Sequence, residues 1–368
     1  MRVELSVVAV TEICILLAAL VFILHKGLFA EDLTPSVYLL LTLVVALYTC
    51  VINKAAIVDY FRNILILFCF VTLGTWTNTA TVKRLFSAVV LAVLAGLAFE
   101  AFFTEAYGDL FWPALYFENT RGIEPAEFTD SKLFRNALGF EGRFTFGILG
   151  HRSSSLFLEQ VSLANFAGVM IIYLLALWQE LSRFQRTAGI VTVVAILLTN
   201  DSRTMLIFSL VCIVGYFIFP ALPRAFAILT MPVILILGVL VYLLNPTAEG
   251  DNIPGRIALT IKKFGEMGLA DYLGFSAEHA AAFADSGYAY VIIIGTGIGL
   301  LLYWLFVCLY PACNNAEERR FTHGLAIFIF MNMMIGGTAI FSIKVAGLMW
   351  LLAGHMKFGR WQSPDTVG

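Results

Sequence analysis

AFAILTMPVILILGVLVYLL, residues 225–244, is an apolar run long enough to cross a bilayer as a helix, and it decides how the rest of the chain is read. The 368 residues are 60% hydrophobic and 13% charged, and the apolar residues come in runs rather than in amphipathic stripes. Further runs lie at 5–25, 33–52, 64–79, 85–103, 156–178, 187–200, 204–219, 288–310, 321–341 and 345–355. A soluble core is excluded. The expected fold is all-α, a polytopic integral membrane protein with about 11–12 transmembrane helices. Residues 1–368 read as one membrane domain, with no internal repeat, low-complexity tract or soluble second domain. The run at 5–25 follows only Met1-Arg2-Val3-Glu4 and lacks a small-residue cleavage site, so it is expected to be a retained helix.

Two long polar stretches, 104–155 and 245–287, interrupt the runs. Placing both outside assigns a side to every connection. The inside then holds Lys26, Lys83, Arg84, Arg183, Arg186, Arg224, Arg319, Arg320, Lys357 and Arg360. The short outside segments hold Arg2, Lys54, Arg62, Arg203 and Lys344. Short loops rich in Lys and Arg stay in the cytoplasm, so this orientation is the favoured one. Eleven spans put the amino terminus outside, which is uncommon and suggests a further span near the start. The stretch 53–63, with Lys54, Asp59 and Arg62, fits least well. The tail from His355 to Gly368 is expected to be a short cytoplasmic end.

The net charge of -2 says nothing about partners, because the placement of charges along a membrane chain matters more than their sum. The six cysteines, at 14, 50, 69, 212, 308 and 313, lie in apolar runs or beside an inside end. They show no metal-ligand spacing, and neither long stretch contains one, so a disulfide framework is not expected.

Against this orientation, Arg152, Arg203 and Arg256 all fall outside or at the outer membrane edge, where an arginine commonly holds an anion. In HRSSSLFLEQVSLANFAG, residues 151–168, helical spacing puts Arg152, Ser155, Glu159 and Ser162 on one face, with Asn165 close to it. This predicts a polar wall with Glu159 orienting Arg152 or acting as a base; the alternative is an Arg–Glu pair that stiffens a helix end. In TNDSRTM, residues 199–205, helix-capping types precede Arg203, which is expected in the first turn of a helix. The alternative there is a tight turn in which Asp201 pairs with Arg203. Arg256 follows Pro254-Gly255, read as a direction-setting turn, while Lys262 and Lys263 are expected to snorkel at the interface. Asp285 either caps the helix that follows or holds an arginine. His151 and His279 are the outside histidines, each more often a surface residue than a base.

Taken together, Arg152-Ser-Ser-Ser-Leu-Phe-Leu-Glu159, Ala164-Asn165-Phe166, Asp201-Ser202-Arg203-Thr204, Gly255-Arg256 and Asp285-Ser286-Gly287-Tyr288 resemble Wzy-type bacterial polysaccharide polymerases. These belong to the broader O-antigen ligase/polymerase superfamily, and the exopolysaccharide and capsule polymerases are the most similar, with a comparable FLE-containing segment and DSxY-like segment. The resemblance covers about residues 145 to 300, and the flanking spans by layout only. The chain is short for that family. The resemblance implies a GT-C-like membrane glycosyltransferase of the bacterial inner membrane, acting at the periplasmic face on undecaprenyl-pyrophosphate-linked oligosaccharides. It implies neither metal nor nucleotide sugar, and no cofactor. Consistently, the sequence offers no carboxylate pair suited to a divalent ion and no phosphate-cradling glycine loop. The outside stretches lack the histidine motif of lipid A ligases, which argues against the ligase branch.

On this reading Arg152, Arg203 and Arg256 hold the pyrophosphate, with Ser155, Asn165 and Tyr288 as further substrate-binding residues. Glu159 is the first candidate for the base, then His151, then Asp285. Expected partners are the lipid-linked oligosaccharide and membrane lipid, together with a chain-length regulator and a flippase; nucleic acid is not expected. The rival readings are a glycan ligase and, in another class, a flippase or transporter of an amphipathic anion. Against the latter stands the lack of two similar halves.

Overall fold

A backbone in hydrocarbon has to satisfy its own amide and carbonyl groups, so each long apolar run closes on itself as a helix. The computed structural model describes residues 5–121, 132–134, 137–138, 145–250 and 252–359. Among them the chain forms α1 (Leu5–Lys26), α2 (Leu33–Asn53), α3 (Val58–Thr75), α4 (Thr79–Phe102), α5 (Thr104–Phe111), α6 (Pro113–Arg121), α7 (Gln160–Leu177), α8 (Arg183–Asn200), α9 (Arg203–Ile218), α10 (Arg224–Leu244), α11 (Ile253–Glu266), α12 (Leu269–Tyr272), α13 (Gly287–Leu309), α14 (Ala316–Ile335) and α15 (Ile343–Lys357). The β-structure among the described residues is one isolated bridge between Leu138 and His151.

Every apolar run coincides with a helix, and eight of these helices are long and apolar enough to cross a membrane: α1, α2, α3, α4, α7, α9, α10 and α13. The chain is an all-helical, multi-pass membrane protein. The remaining three runs differ for physical reasons. α8 opens on Arg183 and Arg186, α14 opens on two glutamates and two arginines, and α15 has only 15 residues. α14 and α15 are lined by protein instead of lipid, with Phe321, Leu325, Ile329, Val345 and Ala353 all fully buried. α7 stands at the centre, with 83% of its apolar window buried; α1 and α10, at 11% and 17%, form the rim.

The helices alternate in direction. On one face, Arg224 donates to Pro311 O, Arg319 to Pro220 O, Arg320 to Tyr216 O and Lys83 to Glu180 O, at 2.8–3.0 Å. These basic residues neutralise the carbonyl-rich ends of α7, α9 and α13. The opposite face carries both long stretches. α1 begins on that face, because Glu12 lies 3.8 Å from Arg62 near the start of α3, while Phe22 packs against Trp76 at its end. Among the described residues no further helix crosses near the amino end. The 53–63 stretch becomes the end of α2, a left-handed Lys54 (φ 50°) and the start of α3 at Val58.

Neither long stretch is loop throughout. The first contains α5 and α6, and the second contains α11, α12 and a 3-10 segment, Ala277–Phe283. α13 is interrupted at Thr296, whose φ of 65° and ψ of 173° are normally reserved for glycine. Its hydroxyl accepts from Ile298 N (3.1 Å) and Gly299 N (3.4 Å) and so caps the second half of the helix.

Contact between α3 and α15 depends on two glycines. A Cβ at Gly74 would collide with Leu351 O, and one at Gly354 with Val71 O. Small residues at such a crossing let two membrane helices touch backbone to backbone. Gly354→Leu should force α15 off α3 and cost about 1–3 kcal/mol or more. Thermal unfolding of the detergent-purified protein, followed by tryptophan fluorescence, should show a midpoint several degrees lower; an unchanged midpoint would mean that this crossing does not limit stability.

Candidate functional site

A cavity of about 470 Å³ opens on the face that carries the long stretches. Three helices begin at its wall, and a fourth begins two residues beyond it. α7 contributes Gln160, α9 Arg203 and α11 Ile253, and Asp285 lies just before α13. Ser202 caps α9 by accepting from Met205 N (3.5 Å), Asn252 caps α11 through Gly255 N (2.8 Å), and Ser286 caps α13 through Ala289 N (3.4 Å). The amino end of a helix carries a partial positive charge, so their convergence favours an anion. Arg152, Arg203 and Arg256 add three guanidinium groups to the same wall. Glu159, Asp201 and Asp285 are the carboxylates facing them. Arg256 Nη1 lies 3.2 Å from Asp285 Oδ1, whereas Asp201 Oδ1 accepts from Phe146 N at 2.8 Å.

The residues that precede α7 are not helical, which corrects the helical face expected for 152–162. Ser155–Phe157 is a 3-10 turn, Ser155 (φ 48°) and Leu158 (φ 58°) are left-handed, and Glu159 is the residue before the first turn of α7. The serine side chains here are engaged by other helices: Ser153 Oγ lies 2.7 Å from Thr199 Oγ1, Ser154 Oγ 3.0 Å from the Tyr107 hydroxyl, and Ser155 Oγ donates to Val93 O (3.0 Å). Glu159 still reaches the cavity, 6% exposed, with its Oε2 accepting from Ser162 Oγ at 2.6 Å. It stands at the end of a membrane helix instead of two turns inside one.

Arg152 is anchored from α8. Its Nε donates to Asn200 O (2.6 Å) and its Nη2 to Asn200 Oδ1 (3.3 Å). Asn200 Nδ2 in turn donates to Ser153 O (2.6 Å) and Gln160 O (2.9 Å). One buried amide thereby fixes both sides of the bend that carries Arg152 and Glu159. Lys344, at the start of α15, holds the same bend by donating to Phe157 O at 3.0 Å.

Arg203 occupies the first turn of α9, as its capping sequence predicts. Arg256 does not follow a Pro-Gly turn: Pro254, Gly255 and Arg256 form the first turn of α11, where a proline costs no hydrogen bond. Asp285 is not the cap of α13, which is Ser286, and it pairs with Arg256. Its position is set by Gly337 (φ 65°), where a Cβ would collide with Ala284 O, and by the Thr338 N to Ala284 O bond of 3.0 Å.

Three expected site residues lie off the cavity lining. Tyr288 is fully buried and donates to Phe330 O (3.0 Å), and Ser155 Oγ donates to Val93 O (3.0 Å). His151 is 8% exposed, its Nε2 at ion-pair distance (3.3 Å) from Glu100 Oε1 without a well-directed hydrogen bond. His279 is exposed beside Glu278. Residues the motifs do not single out complete the wall: Asn252, Asn332 and Thr338. A lone amide in FIFMNMMIGG (328–337) and a lone carboxylate in AGLAFEAFF (95–103) are the signals that mark Asn332 and Glu100, since polar groups inside apolar runs need a partner or a purpose.

Asn165, on α7, is 1% exposed and faces the cavity, and its Nδ2 has no hydrogen-bond partner among the described residues. The two buried amides should therefore respond oppositely to truncation. Asn200→Ala leaves Ser153 O without its donor, removes a second donor from Gln160 O and an acceptor from Arg152, and should destabilise by about 2–4 kcal/mol. Asn165→Ala removes an orphaned donor and should leave the unfolding midpoint unchanged or higher. A drop for Asn165→Ala as large as that for Asn200→Ala would show that its amide is structurally engaged.

The chain matches no protein-family model, no curated protein and no solved structure.

Proposed function

We propose that this chain polymerises undecaprenyl-pyrophosphate-linked oligosaccharide repeat units into a surface polysaccharide, at the periplasmic face of a bacterial inner membrane. The observation that carries the reading is the convergence of three helix amino ends and three arginines from separate stretches on one cavity. A pyrophosphate leaving group needs that kind of fixed positive field, and arginine grips phosphate oxygens with two donors at once. The positive-inside distribution, with Lys and Arg concentrated on the opposite face, supports a cavity that opens outward.

In the reaction, a hydroxyl oxygen of the acceptor sugar bonds to the anomeric carbon of the donor glycan. The bond from that carbon to the lipid pyrophosphate breaks, and the leaving group takes the electron pair. Arg152, Arg203 and Arg256 stabilise the charge it acquires. The hydroxyl proton passes to a carboxylate at the cavity, for which Glu159 is the candidate; His151, off the lining and beside Glu100, is not retained as one. Asp285 keeps a different role, as the partner of Arg256. A transporter remains the second reading, favoured by the break of α13 at Thr296, since interrupted helices recur in transporters. Thr296, however, does not line the cavity.

Losing one preorganised phosphate donor costs about 3–4 kcal/mol at the transition state, a hundredfold or more in rate. In a deletion strain complemented with Arg203→Ala or Arg152→Ala, gel analysis of surface glycan should show the polymer ladder replaced by a single repeat unit at normal protein level. A ligase would instead leave unattached polymer, and a transporter repeat units trapped inside. A full ladder from either variant would remove the assignment.

A further inference from the structure

Glu100 lies in the apolar run of α4, is 1% exposed, and does not line the cavity. Its carboxylate faces the irregular segment before α7. Ser154 N donates to both of its oxygens (3.1 and 3.0 Å), Ser155 N donates to Oε2 (2.6 Å), and His151 Nε2 lies 3.3 Å from Oε1. Tyr107, from α5, closes the cluster. Its hydroxyl lies 3.0 Å from Ser154 Oγ and donates to Ser155 O at 2.6 Å. Burial, and then the Glu100 charge, push the Tyr107 hydroxyl well above the ordinary tyrosine range, which keeps it a donor; its hydrogen bond to Ser154 opposes the shift.

A buried amide proton without a helical partner needs an acceptor, and a carboxylate offers two acceptor oxygens at once. A glutamine at this position would offer one acceptor oxygen and turn its NH2 toward amides that also donate. Arg152 and Glu159 leave this segment toward the cavity, and the segment holds two left-handed residues, Ser155 and Leu158, that only external anchors can maintain. Asn200 anchors it from α8, and Glu100 anchors it from α4.

We propose that Glu100 is a positioning residue of the cavity: through the amides of Ser154 and Ser155 it sets where Arg152 and Glu159 meet the ligand. The proposal rests on the reading of the cavity as a pyrophosphate site.

The test uses the full chain in lipid nanodiscs and two readouts, calorimetric affinity for inorganic pyrophosphate and hydrogen exchange at Ser154 and Ser155. Glu100→Gln should exchange faster at both amides, keep its fold with a ligand-free unfolding midpoint lowered by several degrees, and bind pyrophosphate roughly ten- to hundredfold more weakly at a temperature where it is fully folded. Tyr107→Phe removes one anchor of the same segment without touching the carboxylate and should show a smaller loss in the same direction; it decides the matter if Glu100→Gln does not fold. Wild-type affinity despite faster exchange would make Glu100 purely structural, and unchanged exchange would remove the clamp; either overturns the proposal. If the wild type itself binds no pyrophosphate, the substrate reading falls and the positioning proposal with it, while exchange at Ser154 and Ser155 in Glu100→Gln still shows separately whether the clamp exists.

Discussion

A peptide group buried in protein has to find its partner there, and the placement of Arg152 and Glu159 depends on how one non-helical segment meets that constraint. Residues 151–159 connect the first long stretch to α7 without forming a helix. The amides of Ser154 and Ser155 go to a carboxylate on α4, that of Ser153 goes to Thr199 O on α8, and the carbonyls of Ser153 and Gln160 accept from an amide on α8. The segment is therefore held between two helices that do not themselves carry the cavity's charges. With its path fixed, Arg152 and Glu159 project to one side, next to the amino ends of α7, α9 and α11.

The alternation of helix direction has a second effect. On the cavity face, helices α7, α9 and α13 begin; on the opposite face they end. The arginines and lysines that mark the opposite face bond to the carbonyls there, at Pro220, Tyr216, Glu180 and Pro311. Charges usually read as a topology signal are thus also local partners of helix ends. The same backbone polarity that binds these cations on one side leaves amide ends pointing into the cavity on the other.

Much of the fold is legible in the sequence because apolar length is a direct readout of bilayer thickness. Each run appears as a helix, and Arg203 in the first turn of α9 follows from Asn200, Asp201 and Ser202. The site is less legible. Spacing by threes and fours assumes a helix, and 152–159 is not one, so Ser155 ends up bonded to Val93 O instead of facing the cavity. Tyr288 sits within the DSGY stretch, yet its hydroxyl is spent on Phe330 O. His151 turns toward Glu100, a contact between residues 51 positions apart that no local pattern encodes. Asn332 and Asn252 reach the wall only because α14 and α11 pack there. The amphipathic α11 and the short α5 and α6 lack the uninterrupted apolar length that reveals the spans.

The pairing of Arg256 with Asp285 means that one of the cavity's guanidinium groups already has a carboxylate partner at rest. An anion binding at the cavity would compete with that carboxylate for the guanidinium's donors. A singly charged visitor, such as chloride or acetate, gains little from the exchange, because it swaps one monovalent partner for another. A multivalent group recovers more than it displaces, since it engages several fixed donors at once. If the cavity takes an anion, the resting ion pair would therefore favour multivalent groups over singly charged ones, by competition within the protein.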